Sequence, residues 1–121
     1  MTVVGRSAGP TFQVELAIDD AERTRGLMFR RRLADDAGML FFMGRDHDWQ
    51  FWMRNTYIPL DMLFLDAELR VVGVVANVPP LTEAMRSCGR KSRYVLELAA
   101  HQAERHGLVP GVQLQLERAA P

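Results

Sequence analysis

The densest mixture of large apolar and hydrogen-bonding groups is the run Phe51-Trp52-Met53-Arg54-Asn55-Thr56-Tyr57-Ile58-Pro59-Leu60-Asp61. Ligand pockets combine an aromatic wall with a few oriented polar groups, and this run holds both. Trp52 supplies a wall, Asn55 and Thr56 supply donor and acceptor atoms, and Asp61 supplies an acceptor or base. Arg25, arriving from an earlier helix, can face a carboxylate there. The same residues also have a plain structural reading. In it Trp52 and Met53 are core, Asn55-Thr56 is a turn cap, and Asp61 is the buried partner of Arg25 or of backbone amides. Glu97 is a secondary candidate. Two carboxyl groups facing a shared gap can hydrolyse a glycosidic bond. Asp61 and Glu97 are the obvious pair, because both sit among strand residues where an unpaired acid is expensive to bury.

Other chemistry is thinner. Asp46-His47-Asp48 is the nearest linear metal cluster, but adjacent strand residues point in opposite directions. The spacing of His101 and His106 rotates them away from a common helix face. With no His-Glu-x-x-His and no Cys-x-x-Cys pattern, no metal centre is expected. Weak binding of a hard cation by Asp46 and Asp48 is the alternative. Cys88 is the only cysteine, so no internal disulfide forms. Its neighbours Arg86, Arg90, Lys91 and Arg93 would stabilise a thiolate. A nucleophile would still need His47, His101 or His106 from across the fold, and a buried bystander is the other reading. No serine sits in a Gly-x-Ser-x-Gly elbow; Ser7, Ser87 and Ser92 read as loop residues. The glycines form neither a dinucleotide fingerprint nor a phosphate loop, and no cofactor is expected. Gly73, inside an apolar strand pattern, marks a bulge or a close contact.

These side chains need elements to position them. Phe12, Val14, Leu16 and Ile18 alternate with Gln13, Glu15 and Ala17, the period of a half-buried strand. Asp19 and Glu22 have capping-box spacing, so a short helix is predicted over about Asp20–Leu27, with Gly26 near its end. Arg30 to Ala37 reads as a loop, Gly38 to Met43 as a strand buried on both faces, and Gly44 to Gln50 as a polar turn. Phe51–Met53 begins a further apolar piece. Leu60–Leu65 and Leu69–Ala76 flank Asp66-Ala67-Glu68 as an antiparallel hairpin. Asn77 to Gly89 reads as irregular. Tyr94, Leu96 and Leu98 share a strand face, Ala99–His106 suits a second helix ended by Gly107, and Val112, Leu114 and Leu116 alternate after Pro110-Gly111. The prolines at 10, 59, 79, 80, 110 and 121 stand as turn or edge markers. About six short strands and two minor helices predict a mainly β fold with some α+β character: an antiparallel, barrel-like β-sandwich.

At 121 residues, 48% hydrophobic and 25% charged, the chain suits one domain with a real core, over about residues 12–118. Fifteen basic and fifteen acidic residues cancel, which argues against broad nucleic-acid binding. Arg23–Arg32 holds five arginines and no acid, and Arg86–Arg93 is also basic. Both read as solvated loops matched by acids elsewhere, with an anionic ligand or partner surface as the alternative. No stretch is apolar enough for a membrane span, and Met1–Ser7 shows no signal-peptide pattern. The sequence as it stands suggests a cytoplasmic protein, or a periplasmic or exported one if a targeting segment was removed.

Five blocks occur in order: Arg25-Gly26-Leu27-Met28-Phe29-Arg30, Gly38-Met39-Leu40-Phe41, Phe51-Trp52-Met53-Arg54-Asn55-Thr56, Ile58-Pro59-Leu60-Asp61-Met62 and Tyr94-Val95-Leu96-Glu97-Leu98. Together they make the chain resemble the small prokaryotic family called domain of unknown function 192 (DUF192), or uncharacterised protein family 0127. The resemblance implies a domain dominated by antiparallel strands in a barrel-like sandwich, and it brings no established activity, cofactor or substrate. It marks Arg25, Gly26, Met28, Trp52, Asn55, Thr56, Pro59, Asp61 and Glu97 as the family's recurrent residues. Members often carry an export or lipoprotein segment ahead of the domain. They also often have a second cysteine where this chain has Leu81, so a family disulfide fails here. Members also often continue the last strand motif with Ala-Gly and open the final strand with Gly-Asp; His101 and Gln113 occupy the matching places here, so the resemblance carries over no glycine-dependent turn or acidic contact there.

The expected function is that of a small non-enzymatic domain binding a small molecule or a protein partner, with no nucleic acid. Its groove would be lined by Trp52, Asn55, Thr56 and Asp61, with Arg25 at the rim. A hydrolase using Asp61 and Glu97 is the enzymatic alternative, and a purely structural or interaction module is the third.

Overall fold

The computed structural model describes residues 1–5 and 9–118; Ser7 and Pro121, read above as loop and turn residues, lie outside them. The elements in chain order are β1 (Thr2–Gly5), β2 (Thr11–Ala17), α1 (Asp20–Arg25), β3 (Ala37–His47), β4 (Leu60–Leu65), β5 (Val71–Val78), β6 (Ser92–Ala99), α2 (Gln102–Arg105) and β7 (Leu114–Glu117). The strands form one curled sheet in the order β5-β4-β6-β3-β2-β1-β7. The mainly β fold with two short helices is as expected. The antiparallel description needs one correction, because β2 and β3 run parallel, with Val14 opposite Gly38 and Leu16 opposite Leu40. The reason is the connection: α1 and the loop after it carry the chain back over the sheet, so β3 starts at the same end as β2.

The sheet is a half-barrel whose edges touch at one end. The Val71 amide donates to Val112 O at 2.9 Å, Gly111 N to Val71 O at 2.8 Å and Leu114 N to Leu69 O at 3.0 Å. Residues alternate along a strand, so the two faces gather separate apolar clusters. Leu40, Leu63, Leu65, Leu96 and Leu98 belong to one cluster. Met39, Phe41, Met62, Phe64 and Val95 belong to the other. Every residue of β4 is buried for this reason.

Local chemistry sets the element ends. The Asp19–Glu22 capping box forms as read, but α1 stops at Arg25 because Gly26 turns the chain with φ 47°. In the hairpin, Asp66 Oδ1 accepts from the Glu68 and Arg70 amides, both at 2.9 Å. Leu69 takes φ 64° and β5 begins at Val71. The second helix shrinks to Gln102–Arg105, since β6 continues to Ala99 by pairing with Leu60. Where a polar turn was expected, β3 runs on to His47, with an irregularity between Phe42 and His47. Phe51–Met53 is not a strand: only Phe51 forms a bridge, with Arg86. Gly73 is a close contact as read, lying against Cys88 with the position of a Cβ 2.8 Å from its Sγ.

Candidate functional site

The face of the sheet carrying Met39, Met62 and Val95 is covered by the connector after α1 and the irregular segments around residues 50–56 and 81–86, with α1 itself at the edge of the cover. The cover is incomplete and leaves a cavity of about 410 Å³. Arg23, Arg25, Gly26, Leu27 and Met28 come to it from α1 and its end, and Phe41 and Met43 from β3. Gln50, Phe51, Trp52 and Thr56 come from the connector before β4, Met85 from the loop after β5, and Glu97 from β6.

Its wall is aromatic. Phe41 and Phe51 pack edge to face with centroids 5.0 Å apart, and Phe51 meets Phe64 at 6.4 Å. Gly26 lets α1 close down on this wall, because a Cβ there would come within 3.1 Å of Phe41 Cζ. Trp52 stands at the mouth with 39% of its surface exposed, and the Arg54 guanidinium lies 5.4 Å from its ring. Phe29 and Tyr57 form an exposed ring pair at 6.3 Å.

Glu97 is the unusual group. On β6 it alternates with Leu96 and Leu98, so its side chain joins Val95 on the cavity face, between its cross-strand neighbours Met39 and Met62. It is 4% exposed. Burial alone, with no charge or hydrogen bond to offset it, pushes its carboxyl up to about 8. Near neutral pH the carboxyl is therefore mostly protonated, able both to donate and to accept a hydrogen bond.

The expected site residues separate into two groups. Arg25, Trp52 and Thr56 line the cavity, as does the secondary candidate Glu97. Asn55 and Asp61 do not line it, a correction to the expected groove. Asn55 adopts φ 54° and its carbonyl accepts the Phe29 amide at 2.8 Å, so it is a turn residue that ties the α1 connector to the rim. The Thr56 hydroxyl donates to Arg54 O at 3.2 Å within the same turn. Asp61 is fully buried, with Oδ1 accepting from Asn77 N and Oδ2 from Ala103 N, both at 2.8 Å. It pairs with Leu98 and so belongs to the opposite face from Glu97, which pairs with Met62. Arg25 and Asp61 accordingly form no ion pair among the described residues, and Asp61 and Glu97 share no gap. The two-carboxylate arrangement required for the hydrolase alternative is not formed.

Other expectations resolve similarly. Burial raises the Cys88 thiol above its ordinary value, which fits the bystander reading and not the thiolate stabilised by neighbouring cations. Asp46 is engaged by Arg93 Nε at 2.9 Å. In the first basic run, Arg23 pairs with Asp20 at 2.6 Å and Arg30 with Glu15 through both guanidinium ends. Nothing in the sequence marks Phe41, Met43 and Met85 as cavity residues. The period-two pattern places Phe41 and Met43 on the face of Met39, but an all-apolar run gives no sign of which face lies open.

A curled mixed sheet of seven strands with one partly covered face and a buried acid beneath the cover defines a small β-rich single domain. The chain belongs to the DUF192 family, described as uncharacterized ACR, whose model matches residues 2–116. It is similar to a candidate transcription regulator from Sinorhizobium meliloti, with 39% identity and a TM-score of 0.88 over 94% of this chain and 89% of that one. It is also similar to a protein of unknown function from Novosphingobium aromaticivorans, with 39% identity and a TM-score of 0.87 over 95% of this chain and 82% of that one. No functionally curated protein matches the chain. No helix among the described residues is long and apolar enough to cross a membrane.

Proposed function

We propose that the protein is a recognition domain that holds a small molecule in the cavity between α1 and the sheet. The carrying observation is Glu97: an acid buried without a partner among the described residues, at a hollow walled by Phe41, Phe51 and Trp52. An unpaired buried polar group costs stability, and a cavity opening onto it gives a bound molecule a hydrogen bond that the protein itself leaves unmade. The volume lies within the usual range of about 300–1,000 Å³ for small-molecule sites. Recognition through apolar contact and oriented hydrogen bonds needs no second carboxylate. The helices of six and four residues, with zero formal charge, favour a small molecule over DNA as the recognised species.

The test is a screen of small aromatic compounds by protein-observed NMR, following the Trp52 indole N–H. Hits are expected to shift that signal in the parent and, followed through backbone amide shifts in the variants, to lose about tenfold or more in affinity in Trp52→Ala and Glu97→Leu. Hits that bind both folded variants as tightly as the parent would overturn the reading.

A second reading has its own observation. Phe29, Tyr57 and Leu81, each about half exposed, stand beside the turn that carries Thr56, which accepts the Leu81 amide at 3.0 Å. A protein partner inserting one side chain into the cavity would cover them as well. Small-molecule hits unaffected by Phe29→Ser and Leu81→Ser favour the first reading.

A further inference from the structure

The charge lining the cavity is unbalanced, and the imbalance specifies the ligand more closely. Among the described residues around it, the ionisable ones are Asp20, Arg23, Arg25 and Glu97. Asp20 and Arg23 cancel, since their side chains pair at 2.6 Å; Arg23 is further fixed by the carbonyls of Ile18 and Phe42, the latter at 2.9 Å. Glu97 contributes no charge near neutral pH, for the reason given above. Arg25 is left. It makes no ion pair among the described residues, and its guanidinium rests 5.9 Å from the Phe29 ring centroid at the exposed rim. Among its lining residues the site therefore presents one unmatched cation, Arg25 at the mouth, with Arg54 beside Trp52 just outside the lining; an aromatic and thioether wall lies below, and a hydrogen-bonding carboxyl at the floor.

Building on the recognition reading, we infer that the cavity takes an organic carboxylate with a flat apolar body: its anionic head meets Arg25, its body lies against Phe41, Phe51 and Met43, and Glu97 meets a polar atom at its buried end. The guanidinium fork matches a carboxylate in two-point geometry, which a neutral head cannot reproduce. Methionine thioethers adapt to the outline of the body, so Met28, Met43 and Met85 allow a family of related carboxylates. A bare organic cation is disfavoured, because it would approach past Arg25 and find no ionised acid at the floor.

The test titrates the protein with three probes of nearly equal shape, each carrying a phenol hydroxyl for Glu97 at the buried end: 3-(4-hydroxyphenyl)propionate, 3-(4-hydroxyphenyl)propan-1-ol and 3-(4-hydroxyphenyl)propan-1-amine. Each is followed near pH 7 through the Trp52 indole N–H signal. The carboxylate is expected to bind about tenfold or more tightly than the other two. Arg25→Gln is expected to bring it down to the alcohol's level while leaving the alcohol unchanged. Arg25 is exposed, so this variant keeps the fold. If the alcohol binds as tightly as the carboxylate, or the amine more tightly, the anionic assignment is wrong and the recognition reading stands. If Arg25→Gln leaves the carboxylate's advantage intact, the assignment is likewise overturned. If none of the probes moves the Trp52 signal, the carboxylate assignment fails, and the recognition reading then rests on the wider compound screen.

Discussion

Two buried acids, one residue apart in their pairing across β4 and β6, have opposite fates. Asp61 is satisfied by two backbone amides, from Asn77 at the end of β5 and from Ala103 in α2. Removing the carboxyl leaves two amides without their acceptor, at about 1–3 kcal/mol each, so Asp61→Ala is expected to destabilise the protein by about 2 kcal/mol or more in urea denaturation. Glu97 has no such partner among the described residues, and burial raises its carboxyl from 4.5 to about 8. Between these values the folded protein keeps a proton that the unfolded chain releases. Stability from this group is therefore present at low pH and lost as pH rises toward 8, with a limiting slope of about 1.4 kcal/mol per pH unit. Glu97→Gln, which mimics the protonated acid, is expected to remove that slope and to exceed the parent in stability at about pH 8. Parallel stability–pH curves for the two proteins would contradict this. The sequence marks both acids as costly to bury, but it cannot show which one is satisfied, because the donors to Asp61 lie 16 and 42 residues away.

At the scale of elements, the site depends on how closely β3 and β6 approach. Gly38 pairs with Leu98, and a Cβ there would collide with the Glu97 carbonyl and lie 2.8 Å from Leu98 Cδ2. The backbone carbonyl cannot rotate away. Gly38→Ala is expected to cost about 1–3 kcal/mol in thermal or urea unfolding and to shift the resonances of Glu97 and its neighbours. An unchanged melting temperature would count against the close packing described here. Elements with a strong local signature are legible in the sequence: the alternation of β2, the capping box of α1 and the hairpin around Asp66. Elements defined by distant partners are not. β1, four residues long, is too short to show a period, and it is held by β2 and β7 on either side. The parallel β2–β3 pair depends on the path of the crossover, and the extension of β6 through Ala99 depends on Leu60. Asn55 and Thr56 look alike as polar residues of one turn. Only the packed connectors decide that one lines the cavity and the other ties the rim.

At the scale of the molecule, a single sheet with apolar residues on both faces must be covered twice. One face is closed by the curl of the sheet and by the segments around α2; Ala103 and Leu108 join its cluster. The other is covered by a six-residue helix and irregular connectors, which leave a hollow over β6. The barrel-like β class follows from strand count and spacing, whereas the hollow follows from how short the covering pieces are. A carboxyl under that hollow, with no partner among the described residues and an aromatic wall around it, is the observation on which the proposed binding site rests. The most direct measurement is an NMR titration of the Glu97 side-chain carboxyl carbon in the full chain. An unpartnered acid at the cavity floor gives a midpoint near 8; a midpoint at or below its ordinary 4.5 would mean that Glu97 is paired or solvated, and the proposed site would lose its basis.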